Sequence, residues 1–155
     1  PYNKVTAGKP LVALWMHGSP GLAKRPYVPD IKRLIAEEYM GMLPSYVVMD
    51  DALNAETFYR HEDIMRLSRE VGAEYVVICG IDGNQSKDKD YWYIVLNQGV
   101  FKADGSLMSI VTFAKKVSAT GNIQATGENL LSAKEELQRH LPFVTVEQQK
   151  LFCYY

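Results

Sequence analysis

Two cysteines and three histidines among 155 residues leave little material for a disulfide framework or a histidine-rich metal centre. Long apolar runs are missing too. Runs such as Leu11–Met16 and Tyr75–Ile81 fall far short of the about 20 residues a membrane-spanning helix requires. Neither sign of charge dominates: 17 Lys and Arg against 18 Asp and Glu give a net −1, which removes the global electrostatic argument for a nucleic-acid or anionic-membrane binder. There is no low-complexity tail and no internal repeat.

What remains is the composition of an ordinary globular domain, 47% apolar, 23% charged and 11% aromatic. A chain near ~150 residues buries roughly 70% of its unfolded surface and needs neither disulfide nor metal to hold a core. One domain over 1–155 is expected, with its compact core over about 10–142 and residues 143–155 as a carboxyl-terminal tail. Because the sequence starts at Pro1 and not at Met, a lost signal segment or added leader is expected upstream. Cys79, inside an apolar run, reads as a buried small hydrophobe, whereas Cys153, in a polar stretch, is either free or paired. Asn84-Gln85-Ser86 has the form of a glycosylation acceptor, which matters only in a eukaryotic secretory route.

Hydrophobic periodicity gives the elements. Leu11–Met16, bounded by Pro10 and His17-Gly18-Ser19-Pro20-Gly21, has the length and flanks of a buried strand. Ile31, Leu34, Ile35 and Tyr39 share a helical face that opens at Pro29-Asp30 and is expected to close at Gly41, with Pro44 just beyond. Tyr46–Met49 reads as a second strand ending at Asp50-Asp51, and Ala52–Arg60 is ambiguous, with a short helical turn as one reading. Ile64, Leu67 and Val71 mark a second helix that Gly72 stops, and Glu74–Ile81 is a third, central strand. After a polar loop, Trp92, Ile94, Leu96 and Val100 alternate with Tyr91, Tyr93, Asn97 and Phe101 on a fourth strand. Ala103-Asp104-Gly105 turns the chain into a fifth, Leu107–Val117. Leu130, Ala133, Leu137 and Leu141 align on a last helix from about Glu128, with a Glu135/Arg139 pair and Pro142 as terminator.

Two strand–helix–strand crossovers demand parallel neighbours, and the hairpins that follow demand antiparallel ones. The expectation is an α/β two-layer sandwich: a mixed sheet of about five strands with about three helices mainly on one face, in the order β-α-β-α-β-β-β-α.

Three stretches resemble a known family. The opening strand and helix, Pro10–Met16 and Asp30–Met40, are the first. Val71-Gly72-Ala73-Glu74-Tyr75-Val76-Val77-Ile78-Cys79-Gly80 is the second and most specific, and Val100-Phe101-Lys102-Ala103-Asp104-Gly105-Ser106 is the third. Together they are similar to the amino-terminal domain of TolB and the related envelope proteins CsgG, FlgT and LpoB, whose fold resembles an anticodon-binding domain. The resemblance implies a periplasmic or outer-membrane-associated setting, often on a lipoprotein, in a bacterium with two membranes. It implies a protein partner or homo-oligomer and no catalysis, with membrane contact only through an upstream lipid anchor. Independently of it, the scattered His17, His61 and His140 lead to the expectation of no metal and no cofactor. The pore-forming hairpins of CsgG and the repeat domain of TolB have no counterpart here, so neither specific role transfers.

Chemistry-bearing residues are sparse. His17–Gly21 after a strand is similar to the oxyanion-hole loop of α/β-hydrolases, but no Gly-x-Ser-x-Gly nucleophile elbow accompanies it. Asp50, Asp51 and Asp82 end strands where α/β sheets often place sites, so with His17 they form a candidate polar site for a small ligand-binding or hydrolytic protein. The bland alternative is a set of solvated strand-end acids. No phosphate-cradle spacing occurs, and Pro20 removes an N–H such a cradle would use. RNA binding, the third reading, rests on fold analogy, and the small basic clusters read as solvated surface. Tyr91, Tyr93 and Phe101 on one strand face, together with Phe152, Tyr154 and Tyr155 in the tail, form a candidate interface. A sheet face without helices needs a cover, which the tail, a second subunit or a partner protein would supply.

Overall fold

A computed structural model describes residues 3–18, 28–50, 60–85, 92–117 and 122–145. The described elements are β1 (Asn3–Lys4), β2 (Val12–Gly18), α1 (Val28–Met42), β3 (Tyr46–Asp50), α2 (His61–Val71), β4 (Tyr75–Gln85), β5 (Trp92–Lys102), β6 (Leu107–Val117) and α3 (Asn122–His140). They build one mixed sheet of six strands in the order β1-β3-β2-β4-β5-β6. β2 pairs parallel with both β3 and β4, while β4–β5 and β5–β6 are antiparallel. The expected order and mixed α/β sandwich are therefore present. β1, an antiparallel pair of residues on the outside of β3, is the addition.

Crossover handedness fixes where the helices go. The step from β2 to β3 runs one way across the sheet, and the step from β3 past β2 to β4 runs back. Right-handed connections therefore put α1 and α2 on opposite faces. Ile35, Ala36 and Tyr39 of α1 accordingly share a core with Leu130, Ala133 and Leu137 of α3 over Leu14, Val77 and Leu96. Ile64 and Leu67 of α2 pack on the other face against Trp15, Ile78 and Phe101. Helices thus lie mainly on the first face, and α2 alone among the described helices covers the second. Full burial of each such side chain contributes about 1.5–3 kcal/mol.

Local signals account for most boundaries. Gly72 adopts φ 73°, in the left-handed region, and the following Ala73 N–H closes on the Ser68 carbonyl at 2.9 Å. Glu62 and Asp63 in the first turn of α2 and Arg69 in its last complement the helix dipole. Gly105, at φ 85°, turns β5 into β6, with its N–H on the Lys102 carbonyl at 2.9 Å. Gly41, expected to close α1, is instead inside it, and the chain leaves the helix after Met42, ahead of Pro44. α3 starts at Asn122, before the expected Glu128, because Ala125, Thr126 and Gly127 are buried in the fold. That packing outweighs the about 1 kcal/mol a mid-helix glycine costs. Arg139 pairs with Glu136 at 2.6 Å, an i,i+3 contact, where the sequence suggested Glu135. Packing continues past α3, since Val144 is buried in the first core and Thr145 donates to the Met42 carbonyl at 3.1 Å.

The first core contains a polar seam. Tyr39 Oη on α1 donates to Gln98 Oε1 on β5, and Gln98 Nε2 donates to the Ala133 carbonyl on α3 at 3.0 Å. Cys79 on β4 lies in the same core as Tyr39. Burial, with smaller contributions from Cys79, raises the Tyr39 phenol well above its usual value, and burial pushes the Cys79 thiol up to about 12. Both groups are therefore neutral at physiological pH and serve the fold. Beside the seam, Lys134 of α3 reaches Glu38 of α1 at 3.1 Å, and Asn129 Nδ2 donates to the Ile94 carbonyl at 3.0 Å.

Candidate interaction surface

Side chains on β5 and β6 alternate between the faces, and the register states which residues lie side by side. Ile94, Leu96, Gln98 and Val100 point into the first core beneath α3. The alternate positions, Tyr93, Val95, Asn97 and Phe101, belong to the second face. On β6 their neighbours are Lys116 beside Tyr93, Ala114 beside Val95, Thr112 beside Asn97 and Ile110 beside Gly99.

α2 does not reach across this face. It covers the β2–β4 half, where Trp15 and Ile78 are fully buried, and it extends to Phe101 at the end of β5. Beyond that the strip is open: Tyr93 is 39% exposed, Ile110 45% and Leu107 56%. Thr112 Oγ1 donates to Asn97 Oδ1 at 2.7 Å, a cross-strand bond that stiffens the strip without covering it. Lys116 is exposed at one end, and Lys115 beside it pairs with Glu128 of α3 at 3.4 Å. β6 is also an edge: among the described residues no strand pairs with its far side.

Of the six aromatic residues expected at an interface, Tyr93 lies on this strip. Phe101 does not. It is 2% exposed beneath Ile64 and Leu67, because the second crossover lays α2 over that end of β5. Tyr91, Phe152, Tyr154 and Tyr155 lie outside the described residues. Ile110, Leu107 and Thr112, which complete the strip, have no mark in the sequence beyond their alternation on β6.

The polar alternative is placed at the carboxyl ends of the parallel strands. His17 sits opposite Gly80, and Asp82 follows two residues later on the same face of β4. Asp50 occupies the position opposite Met16, one step out of phase with His17. Asp82 Oδ1 accepts the Gly83 N–H at 2.8 Å, a local turn contact. Asp51 and residues 19–27 lie outside the described residues. Among the described residues no group of three or more His, Cys, Asp or Glu side chains could hold a metal ion, and no helix is long and apolar enough to cross a membrane.

No protein-family model matches the chain, and no curated protein matches it. Solved structures do. The PelC dodecamer from Paraburkholderia phytofirmans superposes with a TM-score of 0.53 at 11% identity, covering 89% of this chain and 94% of that one. A variant of the same dodecamer gives 0.55 at 12% identity, covering 88% and 93%. The chain is similar in fold to PelC. The carboxyl-terminal domain of LpoB from Salmonella enterica matches with a TM-score of 0.42 at 12% identity, over 72% of this chain and 84% of that one, too low a score to establish a common fold.

Proposed function

We propose that this chain is a non-catalytic interaction domain of the bacterial cell envelope, working by association with copies of itself or with a protein partner. The observation that carries the reading is the β5–β6 half of the second sheet face, where Tyr93, Leu107 and Ile110 are exposed beside a strand edge that no other strand pairs with among the described residues. Exposed tyrosine and aliphatic side chains in one strip suit a protein interface better than solvent. The likeness in fold to PelC, a dodecamer, supports self-association as the mode. The envelope setting, periplasmic or outer-membrane-associated, follows from the resemblance of Val71–Gly80 and Val100–Ser106 to the TolB and LpoB group. The hydrolytic and RNA-binding alternatives gain no specific observation.

Two measurements test this. Sedimentation velocity over a wide concentration range is expected to give assemblies larger than one chain that dissociate on dilution, and Tyr93→Ala is expected to weaken them. A chain that stays monomeric, together with a precursor that fractionates with the cytosol, would remove the reading.

A further inference from the structure

We propose that the β6 edge is the site at which two copies of this chain join, by antiparallel pairing of β6 with β6 of the second copy about Thr112. This deepens the interaction reading above and rests on it.

The two edges of the sheet are unequal. One ends in β1, a strand of only two residues, and the other in β6, eleven residues long. A long edge carrying exposed Leu107 and Ile110 is the kind that pairs with another chain, since its outer N–H and C=O groups are a ready template. Charge selects the direction. Lys116 and Lys115, the latter paired with Glu128 of α3, are both exposed near the end of β6. Parallel pairing would set the lysines of two copies side by side, at the about 4.8 Å spacing of neighbouring strands. Antiparallel pairing carries the two Lys116 residues to opposite ends of the ribbon, about 27 Å apart at the strand rise.

Centring on Thr112 uses the whole strand and matches side-chain sizes. Ile110 of each copy then lies beside Ala114 of the other, and Val111 beside Phe113. Each Lys115 faces Ser109 and each Lys116 faces Met108. The arrangement is isologous: a twofold axis through Thr112, perpendicular to the sheet, joins the open strips of both copies into one and keeps both α3 helices on the same side.

The register makes the test specific. In the full chain carrying Cys153→Ser, with Cys79 left buried in the core, Thr112→Cys places two thiols across the axis. Cα separations of about 4.5–5.5 Å there fall within disulfide reach. Mild oxidation with copper phenanthroline is expected to convert most of the Thr112→Cys protein to a covalent dimer, and to leave Lys116→Cys monomeric. The double variant Ile110→Lys with Thr112→Lys, at two exposed positions, is expected to keep the native far-ultraviolet circular dichroism and weaken association at least tenfold. If the wild-type chain associates but Lys116→Cys links as readily as Thr112→Cys, or the double lysine variant associates normally, antiparallel β6 pairing is wrong and the interaction reading stands. If the wild-type chain never self-associates, the β6 pairing falls and the interaction reading keeps only its protein-partner form.

Discussion

Phe101 and Tyr93 occupy the same strand, on the same face, eight residues apart, yet one is 2% exposed and the other 39%. The difference is the reach of one helix. α2 is held over β2 and β4 by the return crossover, and it ends its cover at Phe101. Alternation along a strand thus determines which face a residue takes, while the topology of distant connections determines whether that face is dry. The covered half stabilises the fold, and the open half leaves Tyr93, Ile110 and Leu107 exposed.

The largest test of that contrast removes one aromatic from each half. Phe101→Ala is expected to lower unfolding free energy by about 3–5 kcal/mol, because it opens a cavity beneath Ile64 and Leu67. Tyr93→Ala should stay within about 0.5 kcal/mol while weakening association. Urea titration of both variants checks this, and equal losses would break the comparison.

Next in size is the polar seam on the fully covered face. Tyr39→Phe removes the hydroxyl that Gln98 Oε1 accepts from and leaves that buried acceptor unsatisfied, at an expected cost of about 1–3 kcal/mol. Thr112→Val, which deletes an exposed cross-strand hydrogen bond on the open half, should cost no more than about 0.5 kcal/mol. Thermal melts of the pair separate covered from open polar groups.

Cys79 adds a pH signature. Its folded pKa, pushed from 9.0 to about 12 chiefly by burial, lies above the unfolded value, so the folded state holds a proton that the unfolded chain releases. Its contribution is fully present below about 9 and is lost as pH rises from there toward about 12. Cys79→Ala should therefore lose less stability than the native chain over that interval, as read by urea midpoints at stepped pH. An identical alkaline decline in both would contradict the buried-thiol account.

The smallest effect is expected at the β5–β6 turn. Asp104 is held below its ordinary pKa mainly by the Ser106 hydroxyl and N–H, at 2.6 and 2.9 Å. A depressed carboxylate contributes above its unfolded pKa, and the contribution is lost as pH falls through the folded value. Asp104→Asn should leave a slightly shallower acid decline in the melting temperature than the native chain shows.

Much of this architecture was legible because short-range physics wrote it. Gly72 and Gly105 sit where a left-handed residue is required, and the Ile94, Leu96, Val100 alternation named the core face of β5. Other features had no local mark. Phe101 is covered by residues from α2 that precede it by more than thirty positions, and nothing in the sequence around Phe101 records that contact. Gly127 looks like a breaker, but its burial keeps it within α3. β1 carries no apolar signal, since it is held by polar contacts. Ser45 Oγ donates to the Lys4 carbonyl at 3.2 Å and accepts the Thr6 N–H at 3.2 Å. For the candidate surface, the sequence offered Tyr93 but not Ile110 or Leu107, because exposed apolar residues in an alternating strand look the same as buried ones.

Amide hydrogen exchange of the native chain as a function of its own concentration tests the central claim most directly. Protection over Leu107–Val117 and around Tyr93 should rise with concentration while protection over His61–Val71 stays constant. Exchange at β6 that is unchanged by concentration, in a chain that does associate, would place the interface elsewhere and contradict the account.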